Sequence, residues 1–493
     1  MNRQDKKLRI AMVAACPFPA NHGSPASIRE MSEALVRQGH EVHIVTYPIK
    51  EDIPVDARVD IHRVHVPFLR NCGVKVGPSY EKFLFDPLMV IKLVWTIWKY
   101  KIDVIHAHNY EGALVGWLAK LFTGRPMLYN AVNSMADELP TYNFIKPKRF
   151  AVWLGEFLDN VVPRTGDFVT VVSDSLKTFL LGKKVPESRV VVVPAGVNLD
   201  MFDQGSGERV REKHGLQGRP LVVYTGTLEQ FQRIDYLLQA MRDVVREMPE
   251  ACLLLVGNIP HKANQALYTD MAASLGIGQS VRFIDSVSLD ELPDYLAAAD
   301  VTVVPRPECP GHPVKLLNYM AAGRPVVSFE GGAKGLHHMY NGYLVNDHDT
   351  AAFGEGVVAL LRDPELAASL GRHARSTITG HFDWDTLTQG IVLIYWMMLE
   401  KRYDAAAHSE LARYLHTDYL LRFVERDLPL SEGHTGSRVD RRQSSDRIGF
   451  AERRQVTFVG AEPLPQLNVK KSDGPAAEDP PIAGVSKVKA RTC

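Results

Sequence analysis

The chain has 493 residues, and its 57 Lys and Arg residues equal its 57 Asp and Glu residues in number. This charge balance gives no electrostatic reason to expect nucleic acid as a partner. A content of 45% hydrophobic and 23% charged residues is typical of a soluble globular protein. The length allows two or three domains of roughly 150 residues each. The five cysteines form no CxxC pair, which argues against a disulfide framework and against a zinc site.

The apolar segments are too short or too interrupted to be a leader or a membrane span. The first one, residues 8–15, follows a charged start and has a strand-like pattern, so no signal peptide is expected. The longest one, residues 83–98, is interrupted by Asp86, Pro87 and Lys92, whereas a span needs about 20 mostly apolar residues. The sequence therefore predicts a cytoplasmic protein.

Strand and helix patterns alternate in the first part of the chain, which predicts a β/α fold. After the strand at residues 8–15, Gly23 and Ser24 open a helix, and the next strand follows at residues 41–47. The turn before this helix lacks the GxGxxG motif, so it is not a dinucleotide-binding fingerprint. Its small residues either contact a diphosphate or only form the turn, and both interpretations stay open. Further strands are predicted at residues 59–66, 103–108, 127–132, 168–172 and 190–193.

The segment DVIHAH, residues 103–108, places a histidine at the carboxyl end of a predicted strand. Ligands of open α/β sheets bind at that edge, so His108 is a candidate for the cleft. Strand alternation puts His106 on the same side. No third ligand follows at an informative spacing, so a metal site is not expected. The alternative is a strand-end histidine with an ordinary structural hydrogen bond.

A predicted helix over residues 87–100 carries one apolar stripe. Burial of this stripe against the sheet is expected, and shallow contact with a membrane interface is the alternative, because neighbouring lysines suit an interface. The stripe consists of Leu88, Ile91, Val94, Trp95 and Trp98, and the lysines are Lys92, Lys99 and Lys101.

Residues 199–220 are polar and rich in glycine, which predicts a linker, and the β/α pattern then begins again. Two such units in succession predict two parallel sheets with a cleft between them. Beyond residue 405, a helix is predicted at 411–424, and the rest lacks periodicity, which predicts disorder with a weak chance of binding an anionic surface. The second set of strands is predicted at residues 221–224, 252–256, 281–284, 301–304, 326–329 and 341–345, with helices at 233–248 and 350–401.

Two cations lie in the segment PRPECPGHPVKLLNYMAAGRPVVSF, residues 305–329, which reads as loop, helix and strand. Arg306 follows a predicted strand, and Lys315 lies in the first turn of the helix, where the helix dipole disfavours a cation. An anionic ligand at this sheet edge would explain both. A solvated surface lysine is the alternative.

Several segments in this order resemble the retaining glycosyltransferases of family 4, of the glycogen synthase and mannosyltransferase-like group. The resemblance covers roughly residues 8–401. It implies an α/β protein of GT-B fold, with two Rossmann-like domains whose parallel sheets face each other across a cleft. Its carriers are HGSPASIREMSEALVRQGHEVHIVT (22–46), DVIHAH (103–108), VVVPAGVNLDMF (191–202), YTGTLEQFQRIDYLLQA (224–240), the segment 305–329 and NGYLV (341–345).

The resemblance also divides the chain. It implies an acceptor-side domain at 1–199, a nucleotide-sugar domain at 200–385, a terminal helix at 386–404 that packs back toward the first domain, and a mostly disordered extension at 405–493.

The implied reaction moves a sugar from a nucleotide-diphosphate sugar, a UDP-sugar or GDP-mannose, to a glycan or lipid-linked acceptor with retention of configuration. Cell-surface polysaccharide or glycoconjugate synthesis is the expected setting, in the cytoplasm or at the inner face of the plasma membrane. The resemblance implies no cofactor and no metal.

Site residues follow from the resemblance position by position. Gly23 and Ser24 match the loop at the diphosphate, His108 matches the histidine near the transferred sugar, and Gly226 matches the glycine after the first strand of the second domain. The remaining substrate-binding candidates are Thr227, Gln232, Glu308, Gly311, His312, Pro313, Val314 and Asn318.

The usual cation pair of the family is missing. Relatives place Arg and Lys where this chain has Thr227 and Gln232, and their two glutamates map onto Pro310 and Asn318. Glu308 could replace one of the two glutamates if the loop is remodelled. Arg306 and Lys315 are the expected replacements for the missing cation pair, and Arg233 is a further cation near in sequence. Together with His108, Arg306 and Lys315 are the predicted catalytic residues. The departures leave open a non-catalytic GT-B module that binds a glycan or a partner, and less so a sugar-nucleotide epimerase.

Overall fold

The computed structural model of the chain describes residues 6–20, 23–49, 54–65, 80–141, 145–257, 262–285, 287–308, 313–333 and 335–415.

The first sheet has seven parallel strands, with helices on both faces, and is called here the N-terminal half. Its strands are β1 (Arg9–Ala14), β2 (Glu41–Thr46), β3 (Val59–Arg63), β4 (Val104–His108), β5 (Met127–Ala131), β6 (Phe168–Val171) and β7 (Val190–Val192). Its helices are α1 (Gly23–Arg37), α2 (Tyr80–Tyr100), α3 (Asn109–Thr123), α4 (Met135–Glu138), α5 (Lys148–Val161) and α6 (Asp174–Gly182). The strand order is β3-β2-β1-β4-β5-β6-β7, so the direction of winding reverses between β1 and β4 and opens a crevice at their carboxyl ends.

The second sheet has six parallel strands and forms the C-terminal half. Its strands are β8 (Leu221–Thr225), β9 (Cys252–Val256), β10 (Val281–Ile284), β11 (Val301–Val304), β12 (Val326–Phe329) and β13 (Tyr343–Val345). Its helices are α7 (Leu199–Asp203), α8 (Gly207–His214), α9 (Ile234–Glu247), α10 (Lys262–Ser274), α11 (Leu292–Ala298), α12 (Val314–Ala321), α13 (Thr350–Arg362) and α14 (Pro364–Ile378). The order β10-β9-β8-β11-β12-β13 places the reversal between β8 and β11. Two parallel Rossmann-like sheets confirm the predicted fold class.

Alternation along β1 distributes its side chains between two cores of the N-terminal half. Ile10 and Met12 pack on the side covered by α1, whereas Ala11 and Val13 pack on the side covered by α2 and α3. Both sides of the strand are buried, which explains its almost continuous apolar sequence.

Two more helices, α15 (Trp384–Glu400) and α16 (Ala405–Leu411), follow those of the C-terminal half in the chain but pack on the first sheet. The side chains of Leu387 and Ile391 share the core of Ile10, and Gln38, directly after α1, donates to the Thr388 hydroxyl at 2.6 Å. Helix α15 therefore belongs to the core of the N-terminal half.

The chain crosses between the halves twice, and the two crossings are hydrogen-bonded to each other. The Val197 N–H donates to the Phe382 carbonyl at 2.8 Å, and the Trp384 N–H donates to the Val197 carbonyl at 3.2 Å. At Gly196 a Cβ atom would lie 2.5 Å from the Trp384 indole, so only glycine fits where the crossings meet.

The linker predicted at residues 199–220 is wrong for most of that range, because α7 and α8 occupy it. The buried side chains of Phe202, Val210 and Leu216 join the core of the C-terminal half, although polar residues surround them in sequence. The helical patterns predicted over residues 350–401 correspond to the three helices α13, α14 and α15. The helix predicted at 411–424 lies mostly outside the described residues.

The predicted burial of the α2 stripe is wrong for three of its residues. Ile91, Trp95 and Trp98 are exposed, and the buried side of α2 is instead Phe85, Met89, Leu93 and Ile97. Both stripes recur at helical spacing, so periodicity alone does not tell which one faces the sheet.

In the part of the chain that the structure describes, no helix is both long enough and apolar enough to cross a membrane.

A buried carboxylate fixes α5 to its neighbours. Asp159 is fully buried and accepts hydrogen bonds from the Ser134 hydroxyl at 3.0 Å, from the backbone N–H groups of Met135 at 2.9 Å and Ala136 at 3.0 Å, and from the Tyr110 hydroxyl. One side chain thus connects α3, α4 and α5.

The change Asp159→Ala leaves these donors buried without their acceptor, so we expect the free energy of unfolding to fall by about 3 kcal/mol or more. Urea denaturation followed by circular dichroism measures it. Glu156→Ala, on the exposed side of the same helix, is the control and should change stability by less than about 0.5 kcal/mol. Equal stability of the two variants would contradict the anchoring role of Asp159.

Candidate functional site

The site in the C-terminal half is built where β8 ends and α12 begins. Lys315, in the first turn of α12, donates through Nζ to the Tyr224 hydroxyl at 2.7 Å and to Gln232 Oε1 at 2.8 Å. The ammonium also lies 4.0 Å from the centroid of the Tyr224 ring. Lys315 is therefore held at the carboxyl edge of the sheet and is not the solvated surface lysine of the alternative interpretation.

Gly226 leaves room for this ammonium. Its φ angle is +130°, and a Cβ atom there would lie 2.9 Å from Lys315 Nζ. A side chain would both strain the backbone and meet the lysine. The glycine after β8 thus brings the backbone close to the cation.

Two tyrosines position the lysine, and the sequence reasoning missed both. Tyr224 accepts from Lys315 and donates to the Thr227 carbonyl at 2.7 Å. Burial raises the pKa of the Tyr224 hydroxyl well above its ordinary range, so the phenol keeps the proton that it donates. The Tyr319 hydroxyl accepts from the Thr225 N–H at 2.8 Å and so joins α12 to the end of β8. Tyr319 lies one helical turn after Lys315. Its contact with Thr225 forms only because β8 and β11 are neighbours in the sheet, which the sequence does not reveal.

Gln232 is buried and lies at the end of a short 3₁₀ helix, residues Gln230–Gln232. Arg233 directly after it does not join the lysine: its guanidinium pairs with Asp235 at 2.7 Å and stacks on Tyr236 at 3.3 Å. Of the two nearby cations suggested by sequence, the structure thus brings Lys315, not Arg233, to Gln232.

The Thr227 hydroxyl is a buried polar atom that has no hydrogen-bond partner among the described residues. The Thr227 carbonyl accepts from Tyr224, which also contacts Lys315. Buried polar groups in native proteins are normally satisfied, so the unsatisfied hydroxyl of this residue is a candidate partner for a ligand oxygen.

Arg306 lies on the loop after β11. Its Nε donates to the Glu308 carbonyl at 2.9 Å, and its guanidinium carbon lies 5.7 Å from the Phe231 ring. Its charge acts to lower the pKa of Tyr224 against the larger effect of burial. Arg306 thus shares one neighbourhood with Lys315.

The other predicted residues of this loop and helix are placed as follows. Pro313 is buried and precedes α12, Val314 is exposed, Asn318 is half-buried one turn after Lys315, and Glu308 is exposed. Gly311 and His312 lie outside the described residues, as does Pro310.

On the opposite side, His108 ends β4 and is 1% exposed, so its ring lies beneath the surface of the crevice. Its Nδ1 is 3.2 Å from Asn130 Nδ2, and its ring stacks on His106 with centroids 4.2 Å apart. His106 Nδ1 in turn lies 2.7 Å from the Tyr395 hydroxyl of α15. Within the described part of the chain, Nε2 of His108 has no partner.

Burial lowers the pKa of His108 to about 3, so the imidazole is neutral at physiological pH. Asn130, which also accepts from the Thr170 hydroxyl at 3.3 Å, offers its amide N–H to His108 Nδ1. In that arrangement the proton of the neutral ring lies on Nε2, which becomes a donor. The site therefore provides a neutral donor here and no cation.

Gly23 and Ser24 lie at the same sheet edge. Gly23 begins α1 with φ +59°, and the Ser24 hydroxyl donates to Asn109 Oδ1 at 3.3 Å. Asn109 follows His108 directly and has φ +62°, a conformation that asparagine tolerates better than most residues. The sequence reasoning missed Asn109, which brings Ser24 beside the end of β4.

The halves touch near this edge. Arg29 of α1 donates through Nη2 to Asp290 Oδ1 of the C-terminal half at 3.2 Å.

Among the described residues, no group of three His, Cys, Asp or Glu side chains could hold a metal ion.

Comparison with known proteins identifies the family. The family model described as Glycosyltransferase Family 4 matches residues 22–201, and the model described as Glycosyl transferases group 1 matches residues 219–363. The chain belongs to glycosyltransferase family 4. The two matches correspond to the N-terminal and C-terminal halves, and they confirm the predicted family and the prediction of a glycosyltransferase.

Two relatives illustrate the named proteins that this family 4 glycosyltransferase resembles. It is 28% identical over 431 residues to D-inositol 3-phosphate glycosyltransferase of Thermobispora bispora, a match over 81% of this chain and 97% of the relative. It is 30% identical over 230 residues to the GDP-mannose-dependent alpha-(1-6)-phosphatidylinositol monomannoside mannosyltransferase of Mycolicibacterium smegmatis, over 45% of this chain and 59% of that protein.

Solved structures confirm the GT-B fold. Sucrose-phosphate synthase from Thermosynechococcus elongatus superposes with a TM-score of 0.65 at 22% identity, covering 80% of this chain and 100% of that one. HepE from Anabaena, in complex with UDP and glucose, superposes with a TM-score of 0.59 at 17% identity, covering 78% of this chain and 98% of that one.

The depressed pKa of His108 has a consequence for stability. Unfolded His108 takes up a proton near pH 6.5, whereas the folded side chain stays neutral down to about pH 3. Between these values the unfolded state binds more protons, so stability falls as the pH falls. When the pH is lowered from 7.5 to 5, we expect the free energy of unfolding to fall by about 2 kcal/mol less in His108→Gln than in the wild type. Urea denaturation at the two pH values measures this difference. Equal losses would show that His108 titrates normally in the folded protein.

Proposed function

We propose that this family 4 glycosyltransferase moves a sugar from a nucleotide-diphosphate sugar to a glycan or lipid-linked acceptor, with retention of configuration. The observation that carries the proposal is the contact between Lys315 and Gln232. Relatives place a lysine at the position of Gln232, and here the ammonium of another lysine lies 2.8 Å from that side chain.

The chemistry explains why a cation is needed there. When the glycosidic bond breaks, the nucleotide diphosphate leaves with additional negative charge. Groups that stabilise this charge more in the transition state than in the bound substrate lower the barrier. A lysine held by two hydrogen bonds, as Lys315 is, needs little reorganisation to meet the leaving group.

The start of α12 adds to this stabilisation. The helix has no side-chain cap at its N-terminus, where Pro313 precedes it. Its first N–H groups and the helix dipole favour an anion. The Thr227 hydroxyl, in the position where relatives have arginine, offers a further donor. The phosphate clamp thus combines one lysine, a helix N-terminus and a hydroxyl, with Arg306 on the neighbouring loop.

The N-terminal half supplies neutral groups for the sugar. His108 offers its Nε2 from a buried, uncharged ring, and Ser24 lies beside Asn109 at the same edge. A neutral imidazole that donates a hydrogen bond suits a sugar hydroxyl better than it suits a phosphate.

The relatives support the class of donor without fixing the nucleotide. One relative is named as GDP-mannose-dependent, and HepE was solved with UDP and glucose. The relative named for a phosphatidylinositol mannoside supports a lipid-linked acceptor. We therefore place the reaction in glycoconjugate or polysaccharide synthesis at the cytoplasmic side of a membrane.

Substitution of the two cations tests the clamp. We expect Lys315→Ala and Arg306→Ala each to lower turnover by on the order of tenfold to a thousandfold, measured as acceptor-dependent release of nucleotide diphosphate. Arg246→Ala, an exposed arginine of α9, is the control and should keep wild-type turnover. Wild-type turnover in both site variants would overturn the clamp.

An exchange of positions gives a sharper test. The double variant Lys315→Gln, Gln232→Lys returns the ammonium to the position of the relatives, a few ångströms from where it lies here. It should recover part of the activity that Lys315→Gln loses. A double variant as inactive as the single one would show that the helix position, rather than the charge, is required.

The lysine-based clamp predicts independence from metal. We expect turnover to be unchanged when EDTA replaces added magnesium in the assay. A loss of turnover in EDTA that magnesium restores would show that a divalent cation shares the phosphate charge.

A non-catalytic glycan-binding module is the second candidate, favoured by the missing cation pair at Thr227 and Gln232. Acceptor-dependent release of nucleotide diphosphate decides between the two, because a binding module would bind the glycan without release. The anomeric configuration of the product, read from its proton NMR coupling, tests retention.

A further inference from the structure

The N-terminal half exposes many large apolar side chains on three helices that cover one side of its sheet. On α2 and α3, Trp98 is 65% exposed and Phe122 is 68% exposed, and on α5 Trp153 is 58% exposed. Their neighbours Trp95, Leu121 and Phe157 are exposed as well. These six residues are called the aromatic face.

The three helices are adjacent. Lys82 at the start of α2 pairs with Glu111 at the start of α3 at 2.7 Å, and the inner sides of both helices share one core. Tyr110 of α3 bonds to Asp159 of α5. The opposite side of the sheet is covered by α1 and α15. The aromatic face therefore lies on the outer layer of one side of the N-terminal half.

Single exposed apolar residues are normal on soluble proteins, but a group of this kind on neighbouring helices marks an interaction surface. On α5 the rings of Phe150, Trp153 and Phe157 stack in sequence, with centroids 5.5 and 6.2 Å apart. The stack continues along the helix at spacings of three and four residues, so it forms a stripe on one side.

Basic side chains outnumber acidic ones beside the aromatic face, although Glu156 of α5 is exposed between Trp153 and Phe157. The ammonium groups of Lys92 and Lys99 lie 4.9 and 4.5 Å from the Trp95 ring, and residues 87–101 contain no acidic residue. Lys148 and Arg149 are exposed at the start of α5. Tryptophan rings flanked by lysine and arginine side chains suit the headgroup region of a bilayer with anionic lipids.

The composition of the surface favours lipid over sugar. Glycan platforms use the flat faces of aromatic rings, whereas here aliphatic side chains such as Ile91, Leu118 and Leu121 are exposed among the rings. An aliphatic side chain gains from transfer into acyl chains but offers no stacking surface to a pyranose.

We propose that the aromatic face docks the N-terminal half on an anionic phospholipid bilayer by shallow insertion of its rings, with the surrounding lysines and arginine on the headgroups. The purpose of this docking, to hold the enzyme where a lipid-linked acceptor lies, rests on the proposed function. The binding itself does not require donor or turnover.

Vesicle sedimentation tests the proposal with the full chain and no donor. We expect binding to vesicles of phosphatidylcholine and phosphatidylglycerol in equal parts, much weaker binding to phosphatidylcholine alone, and a blue shift of tryptophan fluorescence on binding. Trp153→Ser with Phe157→Ser should weaken the partition coefficient at least about tenfold. Lys99→Glu and Lys148→Glu should each weaken it about fivefold without removing apolar surface.

Leu267→Ser is the matched control, because Leu267 is an exposed leucine on α10 of the C-terminal half. It should bind vesicles like the wild type, and thermal melting checks that every variant is folded. The proposal would be overturned if the variant Trp153→Ser with Phe157→Ser bound vesicles as well as the wild type does. If that variant also lost affinity for a soluble glycan, the aromatic face would be a glycan-binding surface instead. Lys315→Ala should bind vesicles normally, so loss of turnover and loss of docking are measured separately.

Discussion

The candidate site depends on one charged group, the Lys315 ammonium, held between the Tyr224 hydroxyl and Gln232 Oε1. A lysine in the first turn of a helix is unfavourable for the helix dipole, so its presence needs compensation. The two acceptors compensate part of it, and Tyr319 fixes the helix to β8 so that the lysine keeps this position. Gly226 is required because only a glycine leaves the space that the ammonium fills.

The N-terminal half uses the opposite strategy, with buried neutral groups in place of charge. Thr170, Asn130, His108, His106 and Tyr395 form a connected polar row across β6, β5, β4 and α15. Because burial depresses the pKa of His108, the row stays uncharged over the physiological range. The two sheet edges thus offer environments of different polarity, as the proposed transfer of an uncharged sugar from a charged leaving group would require.

The sequence predicted the family and the two parallel sheets, because apolar strands and ordered segments are local signals, and it singled out Lys315 as a candidate that the structure places at the edge of a sheet. It did not predict Tyr224, Tyr319 or Asn109, since their roles depend on which strands become neighbours. It placed the wrong side of α2 against the sheet, because two stripes have the same period. The domain boundaries and the roles of the site residues remain predictions.

The paired crossings at Val197 and Phe382 have a mechanical consequence. Two connections that are hydrogen-bonded to each other move as one ribbon, which bends more easily than it twists. A rotation of one half against the other would have to bend both connections at the same place, where Trp384 packs on Gly196. The ion pair between Arg29 and Asp290 joins α1 to the C-terminal half on the side of these crossings, because both residues line one cavity with Asn198 and Asp200.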